Sequence, residues 1–313
     1  METKTKSKPL KHFINGEWVE AESGTIFDVM NPLDDSLYAH AAKGTEDDIL
    51  KAVSAAKSAF PEYRETLPSE RERMLLRIAE IMEERKSELV DCLIDEIGSP
   101  IQKAMFEFTK GLTMLRAAAG LCRNVRGETI PSDAPGKFSM SIREPLGVVA
   151  AITPFNVPLI KTTRLVANAL SLGNTVVHLP SELAPHLTVL FAEIVADAGF
   201  PAGAYNVVTG YGPTAGLPLA KNKDVKIILS SILPANAFPW NDAIENVSST
   251  IISINSLMKD YALNNGIVYL DYHSSMVDEN EGLNSDYTED GVHPNKEGYK
   301  VMSGLAEKTI SQI

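Results

Sequence analysis

Residues 147–182, GVVAAITPFNVPLIKTTRLVANALSLGNTVVHLPSE, decide the fold class. VVAAIT is apolar nearly throughout, PFNVP turns the chain, and Leu159 to Leu172 repeats apolar residues at helical spacing. The same order recurs at once as NTVVHL, PSE and a helix from about Ala184 to Ala198. A strand that is apolar on both faces is buried on both faces. Short apolar strands alternating with amphipathic helices therefore predict a parallel α/β sheet covered by helices on each side. YNVVTG and VKIILS continue the pattern, with GYGPTAG between them.

Upstream, FINGEWVEAESGTIFDVMNP alternates apolar and polar residues around Asn15-Gly16 and Ser23-Gly24, the mark of short strands joined by tight turns. Thr45 with Asp48 predicts a capped helix whose inner stripe is Ile49, Ala52, Val53, Ala56 and Phe60. Ser69 with Glu72 predicts a second capping box, opening one helix that runs to about Glu96 before Gly98 and Pro100 stop it. Ile101 to Cys122 is a further helix, and TIPSDAPGKF an irregular connection. Downstream of Ser230 come a Pro-broken loop, a helix near Asp242 to Asn264 with inner stripe Ile244, Val247, Ile251, Ile254, Met258 and Tyr261, and the strand GIVYLDY. Asn295 caps a last helix lined by Tyr299, Met302, Leu305, Ala306 and Thr309.

With 313 residues the chain is long enough for a substantial core. Its 41 acidic and 29 basic side chains give a formal net charge of -12, which disfavours nucleic acid and anionic membrane as partners. Val225 to Ile313 is the more acidic part, with 12 acidic against 5 basic residues. No run of apolar residues is long enough to span a bilayer, and METKTKSKPLKHF lacks the apolar core of a signal peptide, so a cytoplasmic location is expected. Cys92 and Cys122 each fall in a helical segment and read as buried or half-buried free thiols, ahead of a disulfide or a catalytic thiol.

Several residues carry chemistry by position. Asn156 follows a buried strand, where its amide either donates to a developing oxyanion or closes a turn. Glu182 lies between a strand and a helix, where a carboxylate accepts from ribose hydroxyls or acts as a helix-start anion. Gly210, Gly212 and Gly216 either admit close backbone approach or serve turns alone. Asp290 and His293 are spaced so that a carboxylate can orient an imidazole, or they are two loop residues facing solvent. Asp271 and His273 offer a similar pairing at a strand end, where packing is the simpler account.

FINGEW, EDDILKAVSAAKSAF, REPLGVVAAITPFNVPL and GNTVVHLPSE resemble the aldehyde dehydrogenase superfamily over roughly residues 10–224. The resemblance implies strands and helices over 1–146 packing on a Rossmann-like cofactor part at 147–224, with NAD or NADP as cofactor. It implies Asn156 as the oxyanion donor and Thr153, Pro154, Glu182 and Gly212 as cofactor contacts. Leu179 stands where the family's motif has a ribose-binding lysine, a loss worth ~1.5 to 3 kcal/mol, or about 10 to 100-fold in affinity. Ser230 to Pro234 replaces the expected phosphate-binding turn, and the family's catalytic cysteine and glutamate have no counterparts. Cofactor binding is thus expected to be weak or absent, without normal aldehyde oxidation.

The segment from VKIILSSILPANAFPW through GIVYLDY to EDGVHPNKEGYKVM resembles SGNH (GDSL-type) ester hydrolases. That implies a chimera: a Rossmann-like front continued, over 225–313, by a flavodoxin-like hydrolase end, with Asp290 and His293 as two members of a catalytic triad. The nucleophile segment is missing, and Ser230, Ser231 and Ser275 are the stand-ins considered. A small-molecule substrate or nucleotide is the expected partner, and self-association through incomplete core surface is the non-enzymatic alternative.

Overall fold

In the computed structural model, which describes residues 9–225, 228–241 and 243–311, the chain opens as β1 (His12–Ile14), β2 (Glu17–Val19), β3 (Ile26–Met30) and β4 (Leu37–Ala42). Asn15 and Gly16 turn β1 into β2 with φ of 54° and 79°, the left-handed pair that a two-residue hairpin turn requires. Helices α1 (Glu46–Tyr63), α2 (Pro68–Glu84), α3 (Lys86–Ile97) and α4 (Ile101–Leu121) follow, then β5 (Glu128–Ile130) and β6 (Ser139–Ser141). The alternating part comprises β7 (Val148–Thr153), α5 (Pro158–Ser171), β8 (Thr175–Pro180), α6 (Pro185–Asp197), β9 (Tyr205–Val207) and, after one π turn, α7 (Leu217–Ala220). The remainder is β10 (Ile228–Ser230), α8 (Val247–Asn264), β11 (Val268–Leu270), α9 (His273–Met276) and α10 (Lys296–Ile310). The N-terminal residues 1–8, the start of the VKIILS strand at 226 and 227, and position 242 at the expected start of α8 lie outside the described residues.

Two compact units form, Met1–Val225 and Lys226–Ile313. In the first, a five-stranded sheet runs in the order β2-β1-β9-β8-β7, with β7, β8 and β9 parallel and β1 antiparallel to both β2 and β9. Its core joins Leu75, Ile78 and Met82 of α2 and Leu89 and Leu93 of α3 to Leu159, Leu170, Val176 and Phe191. Each such side chain, fully withdrawn from water, contributes roughly 1.5 to 3 kcal/mol.

The helix expected over 69–96 is two helices. Leu67 is the N-cap and Pro68 the first helical residue of α2, so Ser69 lies inside the helix and makes no cap. Arg85, at φ -97° and ψ 21°, breaks the helix in two, and its guanidinium reaches Glu88 and Glu193 at 2.7 Å each. The apolar spacing from Met82 to Leu89 suits either a break or a continuous helix. Thr45 does cap α1: the buried Asp48 carboxylate accepts from its backbone amide at 2.8 Å and its hydroxyl at 2.9 Å. Part of the connection read as irregular is the antiparallel hairpin β5–β6.

Neither α5 nor α6 has a capping side chain of its own. A buried glutamate from α3 supplies the one at α6. Glu96 of α3 accepts from the backbone amides of His186 at 2.6 Å and Leu187 at 3.0 Å. Glu107 of α4, wholly buried, pairs through Oε1 with Lys103 at 2.7 Å, while its Oε2 has no hydrogen-bond partner among the described residues. Burial pushes its carboxyl pKa up, against the pull of Lys103. Glu96 thus meets amides that the first turn of α6 leaves unsatisfied.

In the second unit, β10 and β11 form a parallel pair with Ile228 opposite Val268 and Ser230 opposite Leu270. Among the described residues β10 hydrogen-bonds to β11 in a two-stranded sheet. The small core gathers Ala235, Val247 and Ile251. Ile244, Ile254 and Tyr261, read as part of the inner stripe of α8, are exposed, while Asn255 is buried. Its amide clamps the Ile232 backbone, accepting from the amide at 2.7 Å and donating to the carbonyl at 2.9 Å. Asn295 caps α10 by accepting from the Glu297 and Gly298 amides, each at 3.0 Å.

Candidate cofactor cleft

The carboxyl ends of β7 and β8 open onto a cavity of about 400 Å³. In open α/β sheets the crevice beyond the strand ends is where ligands sit, because the loops there are free to vary while the strands hold their bases. Thr153, Pro154, Glu182 and Gly212 all line it, so the structure brings the expected cofactor contacts together. The sequence reading did not assign Ile152, Phe155 or Ser181 to this wall. Their only signal was adjacency to the strand ends.

Thr153 is buried, and its hydroxyl is 2.9 Å from His178 Nε2. His178 Nδ1 in turn lies 2.8 Å from the Tyr205 hydroxyl, so one imidazole ties the three parallel strands together. Burial pushes the His178 pKa down to about 3. It is therefore a neutral structural group that does not replace the missing lysine charge. Glu182 is half-buried, with Ser181 Oγ at 3.5 Å from its Oε2. Gly212 faces open space, since a Cβ there meets nothing within 4 Å.

Leu179 explains the largest departure. It is 2% exposed, lines the same cavity, and its Cδ2 would lie 3.2 Å from a Cβ placed on Gly216. Gly216 thus serves the packing of Leu179. No Lys, Arg or His is among the described residues lining this cavity. The walls fit a nucleoside, with apolar faces for a base and the Glu182 carboxylate for sugar hydroxyls. They present no cation to a pyrophosphate.

Asn156 is exposed in the loop between β7 and α5, and no side-chain hydrogen bond to another described residue ties it down. It is not among the residues lining the cavity. In the second unit, Asp290 Oδ2 lies 2.7 Å from His293 Nδ1, while its Oδ1 accepts from the backbone amides of His293 and Val292. Those bonds, the His293 amide first and its ring next, hold the Asp290 pKa well below the usual carboxylate range. The His293 side chain is 71% exposed and packs near Trp240 at 5.7 Å between ring centroids. Among the described residues no serine hydroxyl hydrogen-bonds to it. Ser231 instead accepts from the His273 backbone amide at 2.8 Å, and Asp271 binds the Ser274 amide and hydroxyl at the start of α9.

A model of the aldehyde dehydrogenase family matches residues 18–230. The chain belongs to the aldehyde dehydrogenase family. Its fold is of that family's NAD(P)-binding type. Betaine aldehyde dehydrogenase of Bacillus subtilis (strain 168) is 36% identical over 218 residues, 69% of this chain and 44% of that protein. Vanillin dehydrogenase of Pseudomonas fluorescens is 39% identical over 196 residues, 63% of this chain and 40% of that protein. Among solved structures, PnpE in complex with nicotinamide adenine dinucleotide superposes with a TM-score of 0.71 at 32% identity, covering 84% of this chain and 50% of that one. An aldehyde dehydrogenase described from Burkholderia cenocepacia gives the same TM-score, identity and coverage. The chain spans less than half the length of these two sequence relatives.

These likenesses correct the chimeric reading. Coverage of 84% exceeds what the first unit contains, so the likeness to aldehyde dehydrogenase structures runs on past residue 225 and is not joined there by a separate flavodoxin-like hydrolase end. A model of the GDSL-like lipase/acylhydrolase family matches residues 179–301 and overlaps the dehydrogenase match, so the two matches do not meet at one junction. No helix among the described residues is long and apolar enough to cross a membrane.

Proposed function

We propose that this chain is a nucleotide-binding piece of the aldehyde dehydrogenase type that takes NAD or NADP weakly and does not by itself carry out normal aldehyde oxidation. The observation that carries this reading is the cleft at the ends of β7 and β8, where Glu182 is retained and the neighbouring cationic position is the buried Leu179. In this reading Glu182 receives the sugar hydroxyls, Thr153 and Pro154 form the floor, and Gly212 leaves room for the nucleoside. The cofactor, when bound, supplies a hydride acceptor. This chain's own residues supply orientation and an apolar wall. Asn156 is the oxyanion donor of the reading, held on the loop beside the cleft, and it has nothing to stabilise until a nucleophile attacks a carbonyl.

Calorimetric titration with NAD and with NADP tests the binding step. Dissociation constants above ~100 μM are expected, since the loss of one charge-assisted bond weakens affinity by about 10 to 100-fold. Submicromolar binding would overturn that estimate. Rapid reduction of NAD in the presence of simple aldehydes would overturn the inactive reading independently.

A further inference from the structure

A second cavity, of about 320 Å³, shares no lining residue with the cofactor cleft and contains a thiol beside an imidazole. Cys92 of α3 and His186, in the first turn of α6, meet there with Sγ 3.4 Å from Nδ1. The Tyr38 hydroxyl lies 2.7 Å from the same nitrogen and 3.7 Å from the sulfur. The Cys92 thiol donates to Glu96 Oε2 at 3.7 Å, on the carboxylate that caps α6. Cys92 is 3% exposed, yet it lines the cavity, which provides its route to solvent. Cys122 is equally buried, does not line this cavity, and has a weak contact from its thiol to the Ala118 carbonyl at 3.9 Å.

Two hydrogen-bond donors converge on the sulfur once its proton has moved to the imidazole: the Tyr38 hydroxyl and the His186 Nδ1–H. Such donors stabilise a thiolate, the form that reacts. The remaining lining sets the charge preference. Glu88, Asp91 and Asp95 are its charged members, Glu88 being paired with Arg85 at 2.7 Å. No Lys or Arg is among the described residues lining the cavity. Lining carboxylates attract a cationic reagent and repel an anionic one, and low-dielectric walls enlarge the difference.

We propose that Cys92 is a modification site, a thiol that exchanges with small cationic disulfides and thiosulfonates. In the step, the Cys92 proton passes to His186 Nδ1 and the thiolate attacks one sulfur of the reagent. A new S–S bond forms at Cys92 as the reagent's own sulfur–sulfur bond breaks, its electron pair leaving on a thiolate or a sulfinate. A thiolate leaving group takes up a proton, directly from the imidazolium or through solvent. Cys92 is oxidised as the departing group is reduced, and no further oxidant is involved.

The test uses the full chain with aminoethyl and sulfonatoethyl methanethiosulfonate, each rate being divided by that reagent's rate with 2-mercaptoethanol. Modified cysteines are assigned by peptide mass mapping. The expected result is reaction at Cys92 ahead of Cys122, with the cationic reagent favoured by about tenfold or more, a preference that falls as salt is raised. Asp91→Asn reduces the preference, and His186→Gln slows both reagents while keeping it. If His186→Gln does not fold, the charge ratio on the unaltered chain decides alone. Equal normalised rates, reaction at Cys122 as fast as at Cys92, or no reaction of Cys92 in the folded chain overturns the proposal.

Discussion

Replacing Leu179 with lysine tests the proposed cofactor reading most directly, because the structure fixes both what the change adds and what it removes. Leu179 lies between the cleft and Gly216, with only 2% of its surface exposed. A lysine stem covers most of the same apolar area while its ammonium reaches the open side, where Glu182 stands. A charge-assisted hydrogen bond to a bound sugar hydroxyl contributes ~1.5 to 3 kcal/mol. That corresponds to about 10 to 100-fold tighter binding. Leu179→Met is the control, since it keeps length and apolarity without charge and volume-conserving apolar exchanges cost under about 1.5 kcal/mol. Titration calorimetry of the three proteins with NAD, beside their urea unfolding curves, reads affinity and stability separately. The reasoning fails if Leu179→Lys unfolds cooperatively yet binds NAD no better than Leu179→Met.

Three further outcomes are expected. Glu96→Ala leaves two amides at the start of α6 without their charged acceptor and lowers the urea-derived unfolding free energy by about 3 kcal/mol, with Glu96→Gln recovering part of the loss. His12, buried beside Asp48, has its pKa lowered to about 4, by burial first and against the attraction of Asp48, while that of His178 is lowered to about 3 by burial. The unfolded chain therefore binds more protons than the folded one between these values and 6.5. Stability is fully present above pH 6.5 and declines as pH falls toward 4 and then 3, by about 3 kcal/mol for His12 alone; an unfolding free energy that stays flat across that window contradicts both assignments. Hydrolysis of short p-nitrophenyl esters is expected to be negligible and unchanged in His293→Ala, because among the described residues no serine hydroxyl bonds to that ring; turnover abolished by the substitution would contradict this.

What was legible in the sequence was local. The run 147–182 announced β7, α5 and β8 because wholly apolar strands and 3.6-residue spacing are properties of neighbouring residues, and Asn15-Gly16 announced its own turn. The break at Arg85 left no mark, since the residues that flank it keep helical spacing on both sides and the arginine is held by Glu193, far along the chain. The apolar stripe of α8 misled because Ile254 and Tyr261 have helical spacing without a partner surface within their unit, whereas Asn255 is buried by a backbone segment that no periodicity foretells. At the cleft, the strand-end position of Thr153 and Glu182 was readable. The burial of Leu179 against Gly216 was not, because it depends on a loop more than thirty residues downstream.

The capping glutamate of α6 bears on where a pyrophosphate can bind. In a strand-loop-helix unit the helix start offers free amides and the positive end of the helix dipole, which together suit an anion. Here two amides of the first turn of α6 already donate to Glu96. That carboxylate is buried and comes from α3, so it is part of the core. A phosphate approaching the start of α6 would meet a negative charge with its donors already engaged. Since no Lys or Arg is among the described residues lining the cleft, these residues suit the nucleoside half of a dinucleotide, and its phosphates need donors other than the start of α6.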